Sequence, residues 1–355
     1  MKATVFSAKV VEWYQEHHRL LPWRQTRDPY KIWLSEIILQ QTRVAQGLPY
    51  YRAFVRQYPN VRSLAAASEQ EVLRMWQGLG YYSRARNLHA CARMIAKKYQ
   101  GNFPQTFVEL KQLRGVGDYT AAAIASFAFG ERVAVLDGNV FRVLSRVFGV
   151  SDDIASPAGK RKFMALANDL LPVKDSSTYN QAIMEFGALF CTPRSPSCDQ
   201  CPLSAGCVAF RRGMQADLPV KRKSVKTKRR YFHYVVARRG KSVLMNRRTG
   251  QDIWKGLWDF PLVESETRLS KGELERTIKK VVGEGTSATV SPEYKHVLSH
   301  QVIAARFLEI SIPKESDWPR GGLFASAIPC GPGKVQRLPK SVLVARYLRE
   351  NGAGE

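Results

Sequence analysis

A chain of 355 residues, 45% hydrophobic and 24% charged, has the length of two ordinary domains and the composition of a folded protein, which excludes a disordered or fibrous one. Lys and Arg number 55 against 30 Asp and Glu, a formal charge of +25 that favours a polyanionic partner without separating DNA from RNA. No apolar run reaches the ~18 residues of a membrane span and no basic-then-apolar leader opens the chain, so a soluble, intracellular protein without a membrane partner is expected.

Up to about residue 210 the apolar spacing is helical. Helices are expected at 30–44, 68–76, 83–99, 106–113, 120–129 and 140–147, separated by short turns carrying Gly, Pro or Asn. Glu36 lies in the first, four residues from Ile32 and from Gln40, with Trp33, Ile37 and Ile38 about it. Burial there would raise its pKa towards that of a general acid; the plainer alternative is a carboxylate on a solvated helix face. Further on, Gly115-Val116-Gly117 forms a turn between two helices, and such a turn can offer backbone N–H groups to phosphate. An ordinary tight turn is the alternative. Asp137-Gly138-Asn139 follows eighteen residues beyond Tyr119 and opens the next helix, so Asp137 is a candidate for chemistry or simply a helix cap.

Four of the six cysteines crowd into seventeen residues, as Cys191-x6-Cys198-x2-Cys201-x5-Cys207. Thiolates so close suit tetrahedral zinc or one [4Fe–4S] cube, and the wide first gap tilts the choice towards the cube. Arg194, Arg211 and Arg212 nearby suggest a structural site that holds a basic loop against phosphate. Residues 221–230, KRKSVKTKRR, carry seven basic residues in ten and read as a linker, either solvated or touching phosphate. Beyond it the apolar period turns two-fold. Strands are expected at 231–237, 242–246 and 304–312, with helices at 273–282 and 342–349, which makes this half α+β.

The strings LPWR (21–24), DPYKIWLSEIILQQT (28–42), WQGLGYYSRARNLH (76–89), LRGVGDYTAAAIASFAFG and LDGNVFRVLSR, with the four cysteines, resemble the A/G-mismatch-specific adenine DNA glycosylases, the MutY type of the helix–hairpin–helix superfamily. The likeness spans nearly the whole chain. It implies an all-α glycosylase domain at 1–213 with a [4Fe–4S] cluster on Cys191, Cys198, Cys201 and Cys207. A linker at 214–230 and an α+β, Nudix-like domain at 231–350 would follow. It also implies that Glu36 protonates N7 of adenine and later handles the nucleophilic water. Asp137, ionised, would stabilise positive charge on the sugar electrostatically or by transient covalent bonding. Asn139 would orient Asp137 or hold phosphate, and Tyr119 would contact the reacting nucleoside once the base has been flipped out. Relatives that also cleave the strand carry a lysine at the position of Tyr119. A phenol forms no Schiff base, so a monofunctional enzyme is expected.

By the same resemblance Gly115 and Gly117 grip phosphate, Gln41 and Thr42 meet the duplex, and Tyr81 and Tyr82 probe the base opposite; the plainer alternatives are packing aromatics for the tyrosines and a surface polar residue for Gln41. GLWDFP (256–261) and KHVLSHQV (295–302) resemble the domain that reads 8-oxoguanine, with Ser299 and His300 on the lesion and Leu298 where an aromatic is usual. Residues 273–282 hold only Glu273 and Glu275 in place of the carboxylate-dense helix of a nucleotide hydrolase, so reading without hydrolysis is expected. The implied partner is double-stranded DNA with 8-oxoguanine:adenine or guanine:adenine mispairs, met by a monomer in the cytoplasm, at the nucleoid of a bacterial cell. The rival readings are a bifunctional pyrimidine-lesion glycosylase/lyase and a non-catalytic iron–sulfur DNA-binding protein.

Overall fold

The computed structural model describes residues 1–222, 227–282, 288–298 and 300–352. It divides into two compact units, Met1–Ala66 with Ala90–Lys223, and Ala67–His89 with Ser224–Glu355. The limits expected from sequence put residues 67–89 in the helical domain; in the structure they pack as part of the C-terminal unit.

In chain order the helices are α1 (Ala3–His17), α2 (Pro29–Leu39), α3 (Val44–Gln57), α4 (Val61–Ala66), α5 (Glu69–Met75), α6 (Ser83–Lys98), α7 (Phe107–Leu110), α8 (Asp118–Phe129), α9 (Gly138–Phe148), α10 (Pro157–Leu170), α11 (Ser176–Leu189) and α12 (Val208–Arg212). Helix α2 starts on an Asp28 cap, whose carboxylate accepts from Tyr30 N–H at 2.9 Å, and has Pro29 in its first turn. It ends earlier than expected. The polar run Gln40-Gln41-Thr42-Arg43 has no apolar residue to bury, Gln41 turns left-handed (φ 57°), and α3 restarts at Val44. The expected helix at 30–44 is therefore two helices with a break at the site.

Helices α1, α9, α10 and α11 surround a core of Phe6, Val10, Trp13, Val143, Leu144, Phe163 and Phe186. Each such side chain, fully buried, is worth about 1.5–3 kcal/mol. Helix α11 presses on α9 at Gly187, where a Cβ would come within 2.7 Å of the Asn139 Cβ. Only glycine permits that approach, and it fixes the start of α9. The hairpin before α8 turns on Gly115 (φ 77°), and Val116 N–H closes it on the Leu113 carbonyl at 3.1 Å.

In the C-terminal unit an eight-stranded sheet comprises β1 (Lys228–Arg239), β2 (Ser242–Arg247), β3 (Trp258–Asp259), β4 (Leu262–Ser265), β5 (Ala288–Val290), β6 (Tyr294–Val297), β7 (Gln301–Ser311) and β8 (Ile328–Cys330). Strands β1 and β7 run parallel at its centre, in register from Lys228 opposite Gln301 to Arg238 opposite Ser311; the other named pairings are antiparallel. Helix α13 (Lys271–Val282) packs Leu274 against Val235, Leu308 and Ile310. After α14 (Pro332–Arg337), helix α15 (Val342–Glu350) stacks Tyr347 on Phe307 at 4.0 Å between centroids. The last three residues of the basic run at 221–230 are thus strand rather than linker. Among the described residues no helix is long and apolar enough to cross a membrane.

Candidate active site

The C-terminal half of α2, the first turn of α8, the start of α9 and the C-terminal half of α11 border a cavity of about 560 Å³ lined by Glu36, Tyr119, Asp137 and Asn139. Glu36 is 7% exposed. Burial pushes its carboxyl up to about 7, opposed by the Tyr119 hydroxyl, which donates to Oε2 at 2.6 Å. The Asp137 charge adds to the rise. Burial and the two carboxylates hold the Tyr119 phenol well above its ordinary pKa, so it stays a neutral donor.

Asp137 is a helix cap and a cavity carboxylate at once. One oxygen accepts from the N–H groups of Asn139 and Val140, both at 2.8 Å, and the other from the Asn139 amide at 2.7 Å. Burial raises its pKa while these bonds and Arg142 pull it back. Asn139 is oriented in turn. The Arg142 guanidinium donates to Asn139 Oδ1 at 2.8 Å, to the Gly187 carbonyl at 2.7 Å and to the Cys191 carbonyl at 2.8 Å. One side chain therefore spans the start of α9 and the first residue of the cysteine loop.

The wall opposite holds residues that the sequence reading did not single out. Glu185 on α11 is 1% exposed and accepts from Arg19 (Nε 2.8 Å, Nη2 2.6 Å) and Arg24 (Nη1 2.8 Å, Nη2 2.7 Å). Burial alone would raise its pKa; the two guanidiniums outweigh that and hold it at about 2. Arg24 stands in the LPWR string, but nothing around Glu185 marks it in advance. Of the remaining expected site residues in this unit, Thr42 lines the cavity, whereas Gln41, Gly115 and Gly117 are exposed outside it.

Tyr81, Tyr82, Leu298 and His300 meet in a second cavity, of about 410 Å³, within the C-terminal unit, with Trp254 and His296. Tyr82 is buried and its hydroxyl donates to the Lys340 carbonyl at 3.2 Å, so it serves as a packing residue as well. Tyr81 is half-buried with φ 48°, and Trp254 lies 5.8 Å from the His296 ring. Ser299 lies outside the described residues.

All four clustered cysteines line one further cavity with Arg146, Phe186 and Phe190. All four sulfurs face N–H groups: Cys191 faces Arg146 Nη1 at 3.5 Å, Cys201 the Leu203 amide at 3.4 Å, Cys198 Gln215 Nε2 at 3.9 Å, and Cys207 the Phe210 and Ala209 amides. Such donors suit ligating thiolates. Arg146, 3% exposed, also ties the Thr192, Pro193 and Leu218 carbonyls. Arg194, Arg211 and Arg212 are exposed.

Residues 34–172 match the model of the HhH-GPD superfamily base excision DNA repair proteins, 191–207 the iron–sulfur binding domain of endonuclease III and 233–350 the NUDIX domain. Fold, cavity and cysteine loop together define a helix–hairpin–helix DNA glycosylase that carries a [4Fe–4S] cluster on the 191–207 loop. Two solved structures agree in fold. A thermostable thymine-DNA glycosylase superposes with TM-score 0.55 and 30% identity, over 59% of this chain and 97% of its own, and a trapped endonuclease III–DNA covalent intermediate with TM-score 0.52 and 24% identity, over 60% and 99%. The adenine DNA glycosylase of Buchnera aphidicola subsp. Baizongia pistaciae is 33% identical over 89% of both chains. That of subsp. Schizaphis graminum is 34% identical over 76% of this chain and 78% of its own, and the human one 42% over 61% and 41%. The chain belongs to the adenine DNA glycosylase family.

Proposed function

We propose that the chain hydrolyses the N-glycosidic bond of adenine mispaired with 8-oxoguanine or guanine in duplex DNA, leaving an abasic site and an intact strand. One observation carries this reading: a carboxyl with its pKa at about 7, bonded to a neutral phenol, shares a cavity with a second carboxylate held by three donors. Adenine leaves poorly as an anion. A flipped adenine takes the proton of neutral Glu36 at N7, and the glycosidic bond breaks as the base departs neutral. Positive charge then develops at C1′ and the ring oxygen, where ionised Asp137 opposes it. Glu36, now a carboxylate, accepts a proton from the water that adds to C1′. Asn139 and Arg142 hold Asp137 in place. Tyr119 donates to Glu36 and offers no amine to C1′, which supports base release without lyase chemistry.

The cluster cross-links the 191–207 loop and supplies no reacting atom. Tyr81, His300 and the other residues of the C-terminal cavity take the base opposite the adenine, and Ser299 joins them on the strength of the sequence resemblance. Gly115 and Gly117 present backbone N–H groups to phosphate, and Gln41 and Thr42 meet the opened duplex. The protein acts as a monomer.

Adenine release from 8-oxoguanine:adenine and guanine:adenine duplexes, with borohydride present in parallel, tests the reading. Release without a trapped adduct is expected. A trapped Schiff base would favour a glycosylase/lyase, and binding without release an iron–sulfur DNA-binding protein.

A further inference from the structure

The β6–β7 hairpin serves both faces of its sheet. His296 and Leu298 line the C-terminal cavity, while Lys295 lines an open groove of about 240 Å³ with Val302, Ala304, Arg229 and Tyr231. Register accounts for the split. Lys295 pairs with Ala304, Ala304 with Tyr231, and Val302 with Arg229; paired residues project to one side, and neighbours along a strand to opposite sides. Further along this face Val235 and Leu308 are packed with Leu274 of α13, so the groove is the stretch beside the helix.

Its lining holds four cations, of which Arg230 is spent on Asp252 and Glu264 and Arg268 on Glu293. Arg229 and Lys295 are exposed, and neither makes an ion pair or side-chain hydrogen bond among the described residues. Arg306, opposite His233 in the same register, donates among the described residues to the Leu269 carbonyl alone, at 3.5 Å. Glu293 is the carboxylate in the lining, and Arg268 engages it at 3.0 Å. Arg229 also belongs to the KRKSVKTKRR run, whose basic residues the catalytic reading leaves without a task. Extended, unpaired cations over a floor of small apolar residues match a repeating phosphodiester better than a single enclosed anion.

We propose that this groove is a second DNA-backbone site, in which Arg229 and Lys295 each neutralise a phosphodiester of the duplex beside the mispair. The inference rests on duplex DNA being the substrate, as proposed above. Backbone held on this face also steadies the hairpin whose other face lines the base-reading cavity.

The test is equilibrium binding of the full-length protein to a labelled, fully paired duplex across a KCl series, with adenine release from a mispaired duplex as the check on the substrate reading. Arg229→Ala and Lys295→Ala should each make the slope of log Kd against log salt shallower by about one, and the double variant by about two. Arg229→Lys and Lys295→Arg should keep the wild-type slope. Lys241→Ala, at the β1–β2 turn and the other end of β1, should keep it too. An unchanged slope in the double variant, or an equal fall in Lys241→Ala, overturns the proposal while leaving the substrate reading intact. A wild type that neither binds duplex nor releases adenine overturns both readings.

Discussion

The proton on Glu36 sets the pH dependence of the proposed reaction. With its pKa at about 7, the acid form should dominate below neutrality and fall about tenfold per pH unit above it. Single-turnover adenine release, measured with enzyme saturating a mispaired duplex, should therefore be flat on the acid side and decline with unit slope above about pH 7. Tyr119→Phe tests the cause. The 2.6 Å bond favours the carboxylate over the neutral acid, so removing its donor favours the protonated form. A hydrogen bond to a charged group is worth about 1.5–3 kcal/mol and one pKa unit about 1.4, so the declining limb should move up by about one to two units. A limb near the ordinary carboxylate range in the wild type, or a downward shift in Tyr119→Phe, would refute the reasoning.

The same shift is a statement about stability. A carboxyl raised from 4.5 to about 7 contributes stability that is fully present below 4.5 and lost as pH rises through about 7. Ionising Glu36 inside the fold thus costs up to about 3 kcal/mol by pH 8. Glu36→Gln keeps an acceptor for Tyr119 and cannot ionise. In the absence of DNA it should match the wild type in urea unfolding at pH 4 and exceed it by up to about 3 kcal/mol at pH 8, while releasing no adenine. Equal stability at both values, or retained turnover, would contradict the assignment.

Asp137→Asn should keep the α9 cap, because Asn caps as well as Asp, yet lose the charge proposed to face the sugar. Adenine release should drop about a hundredfold or more with the melting temperature nearly unmoved; a large loss of stability would mean that Asp137 is chiefly a cap. Glu185→Gln should destabilise the protein by about 3 kcal/mol, because Arg19 and Arg24 lose a buried counter-charge. The wild type should show the linked effect, losing this contribution as pH falls from 4.5 towards 2. His300→Ala should narrow the preference for 8-oxoguanine:adenine over guanine:adenine by about tenfold, the worth of one recognition hydrogen bond. A preference left whole would remove His300 from lesion reading.

What could be read from the chain follows the range of the forces involved. Helices α8 and α9 were legible because glycine, cap and apolar spacing act within a few residues, and the burial of Glu36 was legible from its neighbours Ile32, Trp33, Ile37 and Ile38. The break after α2 was not legible: no Gly or Pro marks it, and it rests on a left-handed Gln41. Nor was the Glu185 cross-link, whose partners lie more than 160 residues away in sequence. Residues 67–89 look like any other helical stretch, and what draws them to the C-terminal unit is long-range. Trp258 donates to Gln70, Arg86 to the Lys255 carbonyl and Tyr82 to the Lys340 carbonyl.

The two cavity carboxylates are handled differently by their surroundings, and that difference is what a division of labour needs. Burial pushes both upwards. Among the described residues Glu36 has a single hydrogen-bond donor against that push and reaches about 7, whereas Asp137 has two backbone N–H groups and an amide that Arg142 holds in place. Donors aimed at a carboxylate stabilise its ion, so the fold opposes the upward push of burial more strongly at Asp137 than at Glu36, as the proposed division of roles requires. The bracing comes from the first turn of α9, and the close approach of α11 at Gly187 keeps Asn139 there. A bulkier residue at Gly187 would therefore act on Asp137 through Asn139 before it disturbed the core.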